Sequence, residues 1–154
     1  MLLQELKFLV FDIHESERLL RTEAFAHLDL DMLTATLESA DKLARRSFES
    51  IAARIDLEEP TLRDGKVIAS PALAEPLNAY AELGFLAATF PRDWGGLDAP
   101  AIIGAANMAL FGAACTPAAG YLFMTAAAAR LILTFGNEHQ KSTYLPPMLE
   151  GRWY

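Results

Sequence analysis

Gly136-Asn137-Glu138-His139-Gln140-Lys141 joins two helical patterns near the carboxyl end of the chain. Gly136 is a residue type that commonly ends a helix, and Asn137 is one that commonly begins a helix. Gln140 follows Asn137 at the spacing of a capping box, in which two side chains satisfy the free amide groups at a helix start. The stretch therefore predicts that one helix ends at Gly136 and that another begins at Asn137.

Upstream of this junction, apolar residues recur every three or four positions, which is the spacing of one helix face. A first helix is predicted from Leu6 towards Arg21, and a longer one follows an N-cap at Asp29. Residues 56–70 interrupt the pattern with acidic residues, proline and glycine. They are predicted to form an exposed connection that contains a turn.

The second half of the chain has clear signals for helix ends. Starts are predicted at Ser70-Pro71, at Asp98 with Pro100 and at Thr116-Pro117; stops are predicted at Gly84, Gly136 and near Leu149, with Pro146-Pro147 bending or shortening the last helix. No helix runs through Pro91 and Gly95-Gly96, so the apolar residues 85–97 are predicted to pack down as a connection. About six helices with short links and no convincing strand predict an all-α fold, a helical bundle.

The composition indicates a folded, acidic protein. Its 154 residues are 53% hydrophobic and 21% charged, which is enough for one domain with a core. The net charge of −7 argues against nucleic acid or an anionic membrane as a partner. Cys115 is the single cysteine, which excludes an internal disulfide, and it is expected to be buried. The N-terminus shows no secretory signal, so a cytoplasmic location is expected.

Residues 99–129 contain no charged residue, which raises the possibility of a membrane hairpin. The stretch is rich in alanine and glycine, and Thr116-Pro117 divides it into halves shorter than the roughly 20 residues that a span requires. Two buried helices and no membrane partner are therefore expected. Partitioning into detergent would favour the hairpin, and ready solubility would contradict it.

No self-sufficient active site is recognisable in the chain. It has no glycine-rich phosphate loop after a strand and no Gly-x-Ser-x-Gly motif, and His14, His27 and His139 lack the spacing of metal ligands. Carboxylate pairs such as Glu58-Glu59 lie in polar, solvated contexts that do not suit acid–base catalysis.

Three stretches together resemble the N-terminal helical domain of the acyl-CoA dehydrogenases. They are Glu82-Leu83-Gly84-Phe85-Leu86 with Phe90-Pro91-Arg92-Asp93-Trp94-Gly95-Gly96-Leu97, Leu133-Thr134-Phe135-Gly136-Asn137-Glu138-His139-Gln140-Lys141, and Tyr144-Leu145-Pro146-Pro147-Met148-Leu149-Glu150-Gly151-Arg152-Trp153. Each motif is common by itself, but their order and spacing make the resemblance specific. Residues 11–13 and 25–28 also resemble the extended start of a larger-subunit branch of this family.

The resemblance implies an FAD-dependent enzyme that takes an acyl-CoA substrate and forms a homo-oligomer. In this family a glutamate removes the α-proton of the thioester, and the flavin N5 accepts hydride from the β-carbon. The glutamate lies in a C-terminal helical domain, and most flavin contacts come from a β-domain and a neighbouring subunit.

On this resemblance, residues 1–154 are a single N-terminal domain with an extension helix at 1–28 and a bundle core at 29–154. The flavin-binding β-domain and the C-terminal helical domain are absent from this chain. No catalytic residue, flavin contact or metal ligand is therefore expected here, and these residues are expected to be inactive by themselves.

The resemblance further implies that the helix before Gly136 forms a wall of the acyl pocket. The matching positions are Ala119, Gly120, Phe123 and Ala127, whose spacing places them on one helix face. The same face could instead pack against a neighbouring helix. As a pocket wall, its three small side chains leave a wide space for a bulky or medium-to-long acyl group, unless Phe123 blocks the end.

Trp94 and the chain as a whole each allow two interpretations. Trp94 either anchors the apolar connection or lies near a substrate entrance. The chain is either this domain of a dehydrogenase or a stand-alone helical interaction module without catalysis. Such a module would be oligomeric, because the surface that faces a β-domain would need another cover.

Overall fold

Seven α-helices and one short hairpin make up the computed structural model, which describes residues 1–154. The helices are α1 (Leu2–Lys7), α2 (Leu30–Leu43), α3 (Ala52–Leu57), α4 (Ala74–Glu82), α5 (Ala101–Ala114), α6 (Thr116–Phe135) and α7 (Glu138–Leu149). The hairpin strands are β1 (Thr61–Arg63) and β2 (Lys66–Ile68). The predicted all-α fold is confirmed.

The first helix ends earlier than the sequence predicted. Helix α1 continues as a π-helical segment, Phe8–Ile13, and the backbone then turns left-handed at Glu15, with φ 45°. This conformation stops the helix, and a separate 3-10 segment, Ser16–Arg21, follows. Val10 is buried against Leu33 and Ile103, which packs this segment on α2 and α5.

The predicted long helix is present, with its regularity interrupted. The Asp29 carboxylate accepts a hydrogen bond from the Met32 amide at 2.7 Å, so the predicted N-cap is confirmed. After α2, helical structure continues through a π segment, Ala44–Phe48, and a 3-10 segment, Glu49–Ile51, into α3. Buried residues along this path face the core.

The predicted turn between residues 56 and 70 is a β-hairpin. Strands β1 and β2 pair antiparallel with Thr61 opposite Ile68, and Asp64 and Gly65 form the turn with φ values of 50° and 72°. The sequence predicted the turn and missed the strands, because every strand residue is exposed and no buried face produces an alternating pattern.

Ser70 caps the start of the next helical segment, as the sequence predicted. Its hydroxyl accepts a hydrogen bond from the Ala72 amide at 3.2 Å and donates one to Glu58. Hydrogen bonds from Arg54 and Ser70 hold the pKa of the Glu58 carboxyl below its usual value. Gly84, with φ 77°, ends this helical region.

Helices α5 and α6 begin where the sequence predicted, after Pro100 and at Thr116, and neither start has a side-chain cap. The Asp98 carboxylate does not cap α5; it accepts a hydrogen bond from the Arg92 amide at 3.3 Å, and α5 begins after Pro100 without a side-chain cap. Thr116 does not cap α6 either, because its hydroxyl donates to the Gly112 carbonyl at 2.9 Å. Both side chains are engaged with the preceding segment.

Helix α6 is 20 residues long and continues past the charge-free stretch to Phe135. By length and composition it is the one helix of the protein that is long and apolar enough to span a membrane, and 28% of its apolar stretch is buried. Core helices of water-soluble proteins have the same length and composition, so this is weak evidence for a membrane hairpin.

Four aromatic rings occupy the centre of the largest core cluster. Phe111 lies 4.8 Å from Phe48, 4.7 Å from Tyr80 and 5.7 Å from Phe85 between ring centroids, with the rings edge to face. Such pairs add to the stabilisation from burial alone. Cys115 is buried in the same cluster, as predicted.

Burial raises the pKa of the Tyr80 phenol well above its ordinary value, and the nearby Tyr154 acts in the same direction. In the unfolded chain this phenol ionises near pH 10, as any exposed tyrosine does. Between that pH and the folded pKa, the unfolded state has lost a proton that the folded state keeps, so the free energy of unfolding falls as the pH rises.

We expect the Tyr80→Phe variant to lose less stability than the wild type on going from pH 9 to pH 11, because it has no phenol to ionise on unfolding. Urea unfolding followed by circular dichroism at several pH values measures this. Tyr144→Phe is the matched control, because it removes a tyrosine that is 43% exposed. Equal alkaline loss in Tyr80→Phe and the wild type would contradict the expectation.

The predicted junction of the last two helices is confirmed. The Gln140 amide donates to Asn137 Oδ1, and the Asn137 amide donates to Gln140 Oε1, both at 2.9 Å. Gly136 is extended rather than left-handed, and a Cβ there would lie 2.5 Å from the Ile132 carbonyl oxygen. Helix α7 runs through Pro146-Pro147 to Leu149, so the prolines do not shorten it.

We expect Asn137→Ala to lower the free energy of unfolding by about 1 kcal/mol, since it leaves the Gln140 amide without its acceptor. Asn137→Ser keeps an oxygen that can cap and should lose less. Denaturant titrations of the three proteins measure the difference, and equal stability of all three would show that the box contributes nothing.

Candidate ligand-binding groove

The connection between α4 and α5 folds back on itself and packs down on the protein, as the sequence predicted. Residues 85–88 and Phe90 are buried. The Ala99 amide donates to the Ala88 carbonyl and the Asp98 amide to the Phe90 carbonyl, each at 3.0 Å. The connection is therefore held by its own backbone hydrogen bonds.

Two glycines make this return path possible. Gly95 has a φ of 80°, which favours glycine, and it ends the short 3-10 segment Arg92–Trp94. Gly96 is buried, and a Cβ on it would lie 1.8 Å from the Phe90 carbonyl oxygen. No other residue type fits at position 96 without moving the backbone.

The folded connection presents Thr89 between α5 and α6. On the α5 side, a Cβ at Gly104 would lie 2.7 Å from Thr89 Cγ2, so Thr89 occupies the space that the glycine leaves. On the α6 side, Arg130 Nη2 donates to the Thr89 carbonyl oxygen at 2.8 Å and to Thr89 Oγ1 at 2.9 Å. The same guanidinium lies 4.1 Å from the centre of the Phe90 ring, within cation–π range.

A groove of about 590 Å³ runs between α5, α6 and this connection. Nine of its thirteen lining residues are hydrophobic, Arg130 is its one charged residue, and none is acidic. The lining residues are Tyr80, Phe85, Leu86, Thr89, Ala101, Gly104, Ala105, Asn107, Met108, Ala109, Phe123, Ala126 and Arg130. An apolar groove with few polar groups suits an apolar ligand that is oriented by one or two polar contacts.

Asn107 supplies the most deeply buried of those polar groups. It is 2% exposed, and its Oδ1 atom has no hydrogen-bond partner. Thr125 Oγ1 is the other buried side-chain oxygen without a partner, but Thr125 does not line the groove. Buried amide oxygens are nearly always hydrogen-bonded, so Asn107 is an exception, and its oxygen is closed to solvent as well.

Comparison with known proteins identifies the family of the chain. The family model for the acyl-CoA dehydrogenase N-terminal domain matches residues 31–152. The chain belongs to the acyl-CoA dehydrogenase family. It is also similar to a 3-methylmercaptopropionyl-CoA dehydrogenase of Ruegeria pomeroyi, with 22% identity over 131 residues. That alignment covers 85% of this chain and 22% of the relative, so the chain spans about a fifth of the curated relative's length.

The four residues that the resemblance assigned to an acyl-pocket wall lie in different surroundings. Phe123, 57% exposed, lines the groove. Ala119 is 5% exposed and packs in the aromatic core cluster, and Ala127 is exposed. Gly120 is exposed and lines a smaller hollow of about 240 Å³ with Met124. Among the four, the structure brings only Phe123 to the groove, and contact of any of them with an acyl group stays a prediction.

Asn107 and Arg130 were not anticipated from the sequence of this acyl-CoA dehydrogenase domain. Arg130 is the first charged residue after the charge-free stretch, which was a usable signal. Asn107 is the one amide side chain within the apolar helix α5. Asparagine is mostly exposed in folded proteins, so its place in an apolar helix was a second usable signal. The resemblance drew attention to α6 alone, so α5 was missed.

Trp94 lies outside the groove. It is half-buried and packs against a cluster of Ala87, Phe90, Ala129, Leu145 and Leu149. It also lines a separate hollow of about 480 Å³ at the start of the Gly95-Gly96 turn. Through these contacts the Trp94 side chain packs the connection against α7.

The groove residues do not fit FAD. The flavin nucleotide carries two phosphates, whereas the groove offers a single cation, Arg130, already bonded to Thr89 through Nη2. The groove therefore has the chemistry of a site for an apolar chain rather than for a dinucleotide.

We expect Gly104→Ala to destabilise the domain by about 1–3 kcal/mol relative to Gly112→Ala, because the new methyl group overlaps Thr89 Cγ2. Gly112 is the matched control on the same helix, since a Cβ there meets nothing within 4 Å. By helix propensity alone both changes would stabilise.

Thr89→Ser removes Cγ2 and keeps the hydroxyl that Arg130 contacts. In that background Gly104→Ala should cost no more than Gly112→Ala. Denaturant unfolding of the single and double variants measures this coupling, and an equal cost with Thr or Ser at position 89 would contradict the contact.

Proposed function

We propose that the groove is this domain's share of the acyl pocket in an FAD-dependent acyl-CoA dehydrogenase, an oxidoreductase that forms the α,β double bond of an acyl-CoA thioester. The observation that carries the proposal is an apolar groove of about 590 Å³ between α5 and α6, lined by Phe123, in a chain of this family. Burial of an alkyl chain there would contribute roughly 25 cal/mol per Å² of apolar surface removed from water.

Phe123 is the wall residue best placed to limit the length of the acyl group. It is a large side chain, more than half exposed, and it shares the groove with the small residues Gly104, Ala105 and Ala126. Truncating it would open the groove without a loss of core packing. Ala119, Gly120 and Ala127 remain candidates for the pocket wall, Ala119 by supporting α6 from the core side.

The groove supports binding and orientation of the acyl chain rather than the chemical step. FAD, where bound, supplies the acceptor for hydride from the β-carbon. Removal of the α-proton needs a base, and none of the groove residues is a carboxylate or a histidine. We therefore expect these 154 residues alone to transfer no electrons from an acyl-CoA to a dye acceptor.

A second candidate function is a helical module that binds another copy of itself or another domain. The observation that favours it is an apolar surface where α6 and α7 meet: Leu131 is 61% exposed, Phe135 is 80% exposed and Tyr144 is 43% exposed. With Ile132, Gly136 and Gln140 they line an open hollow of about 400 Å³. Such surfaces on soluble proteins mark contacts with partners.

The test of the first function is the binding of straight-chain acyl-CoA thioesters of increasing length, measured by isothermal titration calorimetry. We expect wild-type protein to show an optimum length, and Phe123→Ala to move that optimum to longer chains because the groove is extended. Met124→Ala is the matched control: Met124 is adjacent in sequence and 65% exposed, but it does not line the groove.

An unchanged length preference in Phe123→Ala would remove Phe123 from the pocket. Absence of acyl-CoA binding altogether, together with self-association that Phe135→Glu disrupts, would favour the interaction module.

A further inference from the structure

Arg130 is a lone positive charge in an apolar part of the protein. It is the single charged residue between Asp98 and Glu138 in the sequence, and the single charged residue that lines the groove. It takes part in none of the seven ion pairs of the protein. The residue is exposed, so its charge is open to water and to a ligand that enters the groove.

The guanidinium of Arg130 is held in one position before any ligand binds. Nη2 donates to the carbonyl oxygen and to Oγ1 of Thr89, which also lines the groove, and Cζ lies 4.1 Å from the centre of the Phe90 ring. Neither Nε nor Nη1 donates to a protein acceptor. A fixed cation with free N–H groups suits a carboxylate, because little further ordering of the side chain opposes binding.

Arg130 and Phe123 line the groove from the same face of α6. They are seven positions apart, which is close to two helical turns and about 10 Å along the helix axis. Small or apolar side chains line the groove beside them, among them Ala105, Met108 and Ala126. The groove therefore combines one cation with an apolar wall and, two turns away, a large aromatic side chain.

We propose that the groove also binds an unesterified fatty-acid anion, with its carboxylate on Arg130 and its alkyl chain directed towards Phe123. The carboxylate carries one negative charge, which matches the single cation, and no acidic residue lines the groove to repel it. Such an anion would compete with an acyl-CoA thioester. The competition rests on the proposed function, whereas binding of the anion does not.

The test is calorimetric binding of octanoate, octanamide and 1-octanol to the wild-type protein. The three ligands have chains of the same length, and only octanoate is charged. We expect octanoate to bind about fivefold more tightly than either neutral ligand, since an ion pair at an exposed guanidinium gives a modest gain. This comparison uses no variant, so it tests the preference for charge without any change in the fold.

Arg130→Met removes the charge and keeps an unbranched side chain, so the preference for octanoate should disappear in this variant. Arg92→Met is the matched control, because it removes one positive charge from an exposed side chain that does not line the groove. It should leave the preference unchanged. Phe123→Ala should move the optimum length of a series of saturated fatty acids to longer chains, because the alkyl chain is directed towards Phe123.

The inference is overturned if octanoate binds no more tightly than octanamide, or if the preference survives in Arg130→Met. Loss of the preference in Arg92→Met as well would overturn it, because net charge rather than the groove would then explain the binding. Binding of coenzyme A without an acyl group, if Arg130→Met abolished it, would also overturn the inference by assigning the guanidinium to a phosphate.

The proposed function and this inference can fail separately. Octanoyl-CoA that binds with a response to Phe123→Ala, while octanoate shows no preference over octanamide, would defeat this inference alone. Octanoate that binds through Arg130, while no acyl-CoA thioester binds, would defeat the proposed function alone. Binding of neither ligand would defeat both.

Discussion

The missing side chain of Gly96 is the constraint on which the groove depends. The Phe90 carbonyl oxygen occupies the space of a Cβ, so the connection between α4 and α5 can close on itself only with glycine at this position. Closure places Phe90 beneath the Arg130 guanidinium and Thr89 within its hydrogen-bonding reach. One wall of the groove is therefore a loop that is held in place as firmly as a core element. A substitution at position 96 would change the shape of the groove, although Gly96 does not line it.

Helix α6 is apolar both on the face that is buried and on faces that are exposed. Ala118, Ala119, Leu122 and Ala129 are buried against the protein. Phe123 faces the groove, while Leu131 and Phe135 are exposed near the start of α7. A helix that is apolar on nearly every side is typical of a core or of an interface that another chain or domain covers. The same composition makes α6 apolar enough to span a membrane, and 28% of its apolar stretch is buried within this domain.

The sequence was sufficient where a signal is local. The capping box of Asn137 and Gln140, the cap at Asp29 and the turn at Asp64-Gly65 depend on residues a few positions apart, and all three are present. The predicted helix starts at Pro100 and Thr116-Pro117 are present as well. The sequence did not predict the partners of Asp98 and Thr116, because a polar side chain near a helix start can bond to the segment on either side of it, and here both bond to the segment behind them. The groove could be predicted only in part. Asn107 and Arg130 come to line it only when α5, α6 and the connection pack together, and no spacing in the sequence indicates that packing.

The hairpin of β1 and β2 lies outside the core of the fold. All six strand residues are exposed, and the two strands pair with each other alone. The hairpin thus adds no buried face to the core, although it links the long helical segment to the helix that begins at Ser70. A segment of this kind can change in length and sequence while the groove and the aromatic cluster keep their geometry. It is therefore a suitable place to attach a fluorescent or affinity label without disturbing the groove.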